Sequence, residues 1–268
     1  MVLFLSTCGI VVLMSLKTKE EIKELQEIAK RHGEIVRTLE ASVKPGVTTN
    51  ELEDMACKLI AKGGDEPAFK NYRPGGAPRA FPCALCVAPN DVVVHGIPTE
   101  LNYTLKEGDI IGLDLGVRHN GLVIDAGKTV AVGNIDKAAQ KLLYATEEAL
   151  MRGIAEARAG NTVGDIGYVI EEYVRGLGYG LVRDLCGHGV GHAVHEEPQV
   201  PNFGARGTGV TLKAGMVLAI EPMVNEGKGA VDFLDDGYTV MTRDGSRSAH
   251  FEHNVVITDG EPIILTCW

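Results

Sequence analysis

Apolar and polar residues recur along this chain with two periods. Between Thr18 and about Ala41, the apolar positions Ile22, Leu25, Ile28, Ala29, Ile35, Val36 and Leu39 follow at three- and four-residue steps, which puts them on one face of a helix. Thr18-Lys19-Glu20-Glu21 ahead of them is a capping box, in which a hydroxyl and a carboxylate satisfy backbone N–H groups reciprocally. Lys44-Pro45-Gly46 breaks the helix, and Thr48-Thr49-Asn50-Glu51 caps a second one through about Lys62. Periodicity then lapses over residues 63–82, which are rich in Gly and Pro and carry Phe69, Tyr72 and Phe81. They predict a long loop, and long loops in compact domains tend to carry function. Short strands are expected near 84–88 and 91–95. Residues 110–117 and 122–132 read as strands around Asn120-Gly121, the strongest short hairpin signal. Helices are expected at about 136–157 and 163–177, and strands near 181–186, 216–222, 238–242 and 249–257. The mixture predicts an α+β fold with antiparallel strands.

The same pattern occurs twice. Lys44-Pro45-Gly46-Val47-Thr48-Thr49-Asn50-Glu51-Leu52 is echoed by Arg158-Ala159-Gly160-Asn161-Thr162-Val163-Gly164-Asp165-Ile166. His95-Gly96 is echoed by His188-Gly189. Leu105-Lys106-Glu107-Gly108-Asp109-Ile110-Ile111-Gly112-Leu113-Asp114 is echoed by Leu212-Lys213-Ala214-Gly215-Met216-Val217-Leu218-Ala219-Ile220-Glu221. Each half then supplies a second carboxylate, Asp125 and Glu252. Three matches in one order imply two halves related by a pseudo-two-fold, with equivalent strands meeting at the centre.

That symmetry would bring Asp114, Asp125, Glu221 and Glu252 together with His188. Each acid is flanked by apolar, strand-forming residues, where Asp is depleted and a buried unpaired carboxylate is expensive. Arg or Lys partners, or exposed strand faces, would explain any one of these acids. Five ligand-type residues in repeated positions favour a divalent cation. They exceed the usual three protein ligands of a catalytic zinc and suit two ions sharing bridging carboxylates, an arrangement fit for hydrolysis. Residues 185–198 hold three of the eight histidines, His188, His192 and His195, among glycines. A Gly-rich turn with surface histidines would look similar taken alone. His95 and His195 remain as candidate hydrogen-bond partners for a substrate.

Composition adds exclusions. The chain of 268 residues is 45% hydrophobic and 23% charged, ordinary for a globular protein. A net charge of −10 argues against nucleic-acid binding and against anionic membranes. The six cysteines are scattered; Cys83 and Cys86 form a lone Cys-x-x-Cys, better read as small apolar residues than as a zinc or redox site, and reduced thiols fit a cytoplasmic protein. Met1–Ser15 is apolar in two short pieces, too short to span a bilayer and without a cleavage signal. Residues 1–16 are expected to be a short dispensable extension, with Met14 an alternative start, and 17–268 a single catalytic domain.

Val93-Val94-His95-Gly96-Ile97-Pro98, Asp114 with Asp125, Gly187-His188-Gly189-Val190-Gly191 with His195-Glu196-Glu197-Pro198, Ile220-Glu221-Pro222 and Glu252-His253-Asn254 together resemble the type I methionine aminopeptidases, from about Lys17 onward. The resemblance implies the pita-bread (creatinase-like) fold and a dinuclear site holding two divalent ions, Co, Mn, Fe or Zn. In it Asp125 and Glu252 bridge, Asp114 completes one metal, and His188 and Glu221 complete the other. It implies Glu221 as general acid/base, His95 and His195 against the scissile peptide, and a methionine pocket including Phe81, Cys86 and Tyr238, soft and aromatic as suits a thioether. The task implied is removal of the initiator methionine from nascent chains with a small second residue. Ribosome contact is expected of that task although no feature of the sequence marks it, and a monomer is expected. Several positions depart from the family pattern: Tyr238 where Trp is common, Val194 where Phe is frequent, Ala126 for Thr, His250 for Gln, and His192 at a variable position. They bear on substrate breadth and rate, and none removes a ligand. Between Glu221 and Glu252 there is no room for the large insertion of the type II branch. The alternatives are a related peptidase acting on X-Pro bonds, a non-catalytic binding module, and a metal store, which would not need His95 and His195.

Overall fold

Both predicted capping boxes close, at Thr18 with Glu21 and at Thr48 with Glu51, and start helices α1 (Lys19–Ser42) and α2 (Thr49–Lys62). The structure is a computed structural model that describes residues 15–268, so the reading of residues 1–13 lies outside the described residues. The Gly/Pro-rich loop follows, interrupted by a two-residue strand β1 (Glu66–Pro67). Then come β2 (Leu85–Pro89), β3 (Val92–Val94), a single helical turn α3 (Pro98–Leu101), and the long hairpin β4 (Ile110–His119) and β5 (Leu122–Ala131). Helices α4 (Lys137–Ala155) and α5 (Val163–Gly176) open the second half. Its strands are short: β6 (Gly180–Leu181), β7 (Gly187–Gly189), β8 (Glu196–Val200), β9 (Val217–Ile220), β10 (Met223–Asn225), β11 (Val231–Phe233), β12 (Val240–Thr242), β13 (Ser248–His250), β14 (His253–Val256) and β15 (Ile263–Ile264).

Every strand pair is antiparallel. The first half builds a sheet of β1, β4 and β2 with β5 on β4, and the second builds β15-β14-β9-β7-β8. Two smaller sheets, β13-β10-β6 and β11-β12-β3, flank them. One apolar core lies under α1, α2 and the β4–β5 hairpin, and another joins α4 and α5 to β9 and β14. No described helix is long and apolar enough to cross a membrane.

The repeat is visible bond by bond. In the first half Gly46 N–H donates to Leu105 O at 2.8 Å and Leu105 N–H to Val47 O at 2.8 Å. In the second, Gly160 donates to Leu212 O at 3.0 Å and Leu212 to Asn161 O at 2.8 Å. Isolated bridges Thr48–Thr104 and Thr162–Thr211 occupy matching places. Gly46 and Gly160 take φ of +92° and +94°, a left-handed backbone that favours glycine and explains why the repeat keeps it. The halves join where β5 meets the start of β14: Lys128 bridges Phe251, and Glu252 N–H donates to Gly127 O at 2.8 Å.

The expected strands at 216–222 and 249–257 each prove to be two. Pro222 has no N–H to give a ladder, and at Glu221-Pro222 the chain leaves β9 for β10 in another sheet. A similar break at Phe251-Glu252 separates β13 from β14. Glu221 and Glu252 therefore stand at switches between sheets, not within strands. The segment expected as a strand at 181–186 is mostly irregular, and the strand that matters begins at Gly187.

Candidate metal centre

The hairpin register explains how Asp114 and Asp125 come together. Asp114 stands opposite Gly127, and Asp125 opposite Gly116, so the two acids lie diagonally on one face of the ribbon. Each faces a glycine across the ladder. A Cβ at Gly127 would come within 2.9 Å of the Asp114 Cβ, so this glycine makes room for the acid. Asn254 Oδ1 accepts from Asp125 N–H at 2.8 Å in a fully buried contact and fixes the strand that carries it. Ala126, by strand alternation, points to the opposite face.

From the other half, Ile220 pairs with His253, which sets Glu221 and Glu252 at the same end of the β9–β14 ladder. His188 pairs with Ala219, two residues before Glu221. Asp125, His188 and Glu252 each place a ligand atom within 4.8 Å of the others. His188 Nε2 is 3.5 Å from Glu221 Oε1 and 3.9 Å from Asp125 Oδ2. Asp114 adds directly to the electrostatic cost of ionising Asp125. Asp125, His188 and Glu252 thus form the tightest group, with Glu221 beside His188 and Asp114 diagonal to Asp125 on the hairpin.

The chemistry of this gathering fits a divalent cation. Asp114 Oδ1, Asp125 Oδ1 and Glu252 Oε1 are buried without a hydrogen-bond partner among the described residues, and no Lys or Arg pairs with any of these acids. Burial raises the Asp114 carboxyl to about 6, with His250 pulling it down and Glu221 pushing it up. Asp125 is raised well above the usual range by burial, then by Asp114 and Glu221. Glu252 is raised likewise by burial, then by Asp125, Glu221 and Asp114. Crowded carboxylates must take up protons or meet a cation. His188 Nδ1 lies 2.9 Å from Gly189 O, so Nδ1 carries a proton and donates it there, and Nε2 is the nitrogen turned toward the acids, the usual orientation of a metal-binding imidazole.

Around this centre stand the other expected residues. The His95 imidazole is depressed to about 4, first by burial, with Glu221 opposing and His250 and His188 adding to the fall. It sits at φ +60°, uncommon for a non-glycine residue. The His195 ring lies 4.4 Å from that of His188, centre to centre, nearly perpendicular. Its pKa is pushed well down by lost hydration among packed neighbours, then by His188 and His95, although the residue is partly exposed. Tyr72, expected only as a loop aromatic, lies with its hydroxyl 2.8 Å from His195 Nδ1. Burial raises that phenol to about 12, so it keeps its proton. With the hydroxyl donating to Nδ1, the ring proton resides on Nε2 and that nitrogen becomes a donor.

The loop carrying His195 is anchored from the N-terminal end of the described chain. Glu196 Oε1 accepts from the N–H groups of His192 at 2.5 Å and Ala193 at 3.1 Å. Its Oε2 accepts from Lys17 Nζ at 2.5 Å and Ser15 Oγ at 2.6 Å. Burial pushes the Glu196 carboxyl up, but bonds from Lys17, Ser15 and Ala193 outweigh it and leave it below the usual value. The exposed His192 side chain reaches Glu21 at 2.7 Å. No local signal in the sequence marks a contact between residues 17 and 196.

Phe81 and Cys86 are buried, and Tyr238 meets Phe81 edge-on at 5.1 Å. Cys86 stands opposite Asp114 in the β2–β4 ladder, which sets it directly beside the acids. Burial, then Asp114 and Asp125, hold its thiol well above the usual range, so it remains neutral. The Tyr238 hydroxyl donates to Arg79 O at 2.5 Å, a bond that a Trp in its place could not make in the same way. Val194 is buried in the first core.

Comparison with known proteins is consistent over nearly the whole chain. Residues 23–259 match metallopeptidase family M24. A methionine aminopeptidase of Clostridium perfringens (strain 13 / Type A) is 47% identical over 251 residues, covering 94% of this chain and 98% of the relative. The crystal structure of methionine aminopeptidase from Rickettsia prowazekii matches with a TM-score of 0.90 at 37% identity, covering 95% of this chain and 100% of that one. Prolidase from Pyrococcus furiosus shares the fold, with a TM-score of 0.73 at 22% identity over 95% of this chain and 66% of its own.

Proposed function

The chain belongs to metallopeptidase family M24 and has its pita-bread fold, and from that premise we propose how its residues carry out the reaction. It is a metal-dependent aminopeptidase that removes an N-terminal methionine, as the similarity to methionine aminopeptidases over nearly full length supports. The observation that carries the site assignment is the convergence of three orphaned, buried carboxylate oxygens with His188 Nε2.

In this reading Asp114, Asp125, His188, Glu221 and Glu252 would hold two divalent ions. Co, Mn, Fe and Zn all suit these donors, and availability in the cell selects among them. Such ions supply a nucleophilic water at neutral pH and polarise the scissile carbonyl. Glu221 accepts the proton of the attacking water and passes it to the departing amine. His95 and His195, both held neutral, donate hydrogen bonds to the peptide, and Tyr72 fixes the His195 tautomer that does so. Phe81, Cys86 and Tyr238 enclose the methionine side chain. The catalytic unit comprises residues 17–268. Its substrates are peptide and nascent-protein N-termini with a small second residue, acted on in the cytoplasm by a monomer; ribosome contact follows from that task alone.

Hydrolysis of Met-Ala-Ser, Met-Lys-Ser and Ala-Pro-Ser by the purified protein tests this. Release of methionine from Met-Ala-Ser alone is expected. Cleavage of Ala-Pro-Ser instead would move the protein to the X-Pro branch, and no cleavage despite bound metal would favour a binding module.

A further inference from the structure

Glu221 has two carboxylate oxygens, and an imidazole faces each. His188 Nε2 lies 3.5 Å from Oε1, and His250 Nε2 lies 3.5 Å from Oε2. The first contact belongs to the metal site described above. The second has no role there. His250 is 3% exposed, and its Nε2 has no hydrogen-bond partner among the described residues. A buried polar nitrogen left unpaired is costly, so its placement calls for a partner.

The placement is also firmly enforced. Residue 250 donates its N–H to Thr129 Oγ1 at 2.9 Å, and the same hydroxyl donates to the carbonyl of residue 250 at 3.0 Å. Thr129 is itself buried, on β5. One side chain thus holds both polar groups of the peptide backbone at position 250. Across the β10–β13 ladder His250 pairs with Met223, two residues beyond Glu221. Asp114 and His95 also lie close to the ring.

We propose that His250 is a positioning residue for Glu221. Its Nε2–H donates to Oε2 and so keeps Oε1 turned toward His188, the residue with which Glu221 would hold an ion. This rests on the reading of Glu221 as metal ligand and proton acceptor. The 3.5 Å separation is longer than a good hydrogen bond, and such contacts tighten when an active site fills. A carboxylate with one oxygen held cannot swing, and the other is then presented in one orientation.

Three variants test the assignment: His250→Leu removes the donor, His250→Gln keeps an amide donor of similar reach, and His250→Asn keeps an amide too short to reach Glu221. Each is chelated, then titrated calorimetrically with Mn(II), and kcat and KM for Met-Ala-Ser are measured on the reloaded protein. His250→Leu and His250→Asn are expected to lose about 10- to 100-fold in metal affinity and in kcat, with KM little changed, as for other groups that orient metal ligands. His250→Gln is expected to recover most of both. Wild-type behaviour from the Leu or Asn variant overturns the proposal. So does a Gln variant as impaired as Leu, because His250 would then supply something an amide cannot, such as direct ligation. Should the wild type bind metal yet release no methionine, the assigned reaction fails while the calorimetric comparison still decides the role of His250.

Discussion

Burial raises the proton affinity of three carboxyl groups in the centre. Asp114 is raised to about 6, and Asp125 and Glu252 are raised well above their usual range, each chiefly by burial. In the metal-free protein these raised values favour the folded state at low pH, and that contribution fades as pH rises from near 4, where unfolded carboxyls titrate, through the folded values. A bound cation reverses the preference, because only deprotonated carboxylates ligate. Metal affinity is therefore expected to rise with pH through about 6. Calorimetry with Mn(II) at pH 6, in two buffers of different ionisation enthalpy, should show net proton release; no release would mean that the carboxyls are already ionised. His195 stands apart from this chemistry. His195→Ala is expected to keep its metal in the same titration and to lose about 100-fold in kcat, the scale of a lost transition-state donor. Unchanged turnover would remove it from the mechanism.

The anchoring of the His195 loop is a property of whole elements. Lys17, just before α1, and Glu196, at the head of β8, form an ion pair whose side chains are 1% and 3% exposed. Lys17→Met would strand a buried carboxylate and is expected to cost about 3–5 kcal/mol in a denaturant melt. Adding Glu196→Gln should restore much of the loss, since a neutral amide oxygen can still accept from His192 and Ala193 N–H. If the double variant is as unstable as the single one, the ion pair itself, not the unpaired charge, sets the stability. This contact shows where sequence reading stops. The helices were legible because their caps and apolar stripes are local, and so was the β4–β5 hairpin, through Asn120-Gly121. Asp114, Asp125, His188, Glu221 and Glu252 were legible because each recurs in a repeated frame. Short strands such as β8 and β11 carry too few residues for a period to emerge, and sheet switches at Glu221 and Phe251 interrupt runs that look continuous. Lys17–Glu196 and Tyr72–His195 join residues far apart in sequence, with nothing local to announce them.

At the scale of the molecule, the fold duplicates one supersecondary pattern and places the centre on the seam. Neither half would hold the proposed site alone: Asp114 and Asp125 come from the first, and His188, Glu221 and Glu252 from the second. The matching glycine turns at Gly46 and Gly160 and the paired bridges to Thr104 and Thr211 show the repeat surviving in the backbone where the side chains have diverged. A cation on the seam would tie the halves together and stabilise the folded state by mass action, by about 2.7 kcal/mol at a free concentration 100 times its dissociation constant. We propose that hydrolysis depends on a metal held by these five residues. The most direct test of this is to chelate the wild type and Asp125→Asn and titrate each with Mn(II) while following methionine release from Met-Ala-Ser. Release is expected to return in the wild type as metal binds and to stay about 1000-fold lower in the variant, a loss of roughly 4 kcal/mol in the barrier. Turnover by the fully chelated wild type, or equal recovery in Asp125→Asn, would contradict it.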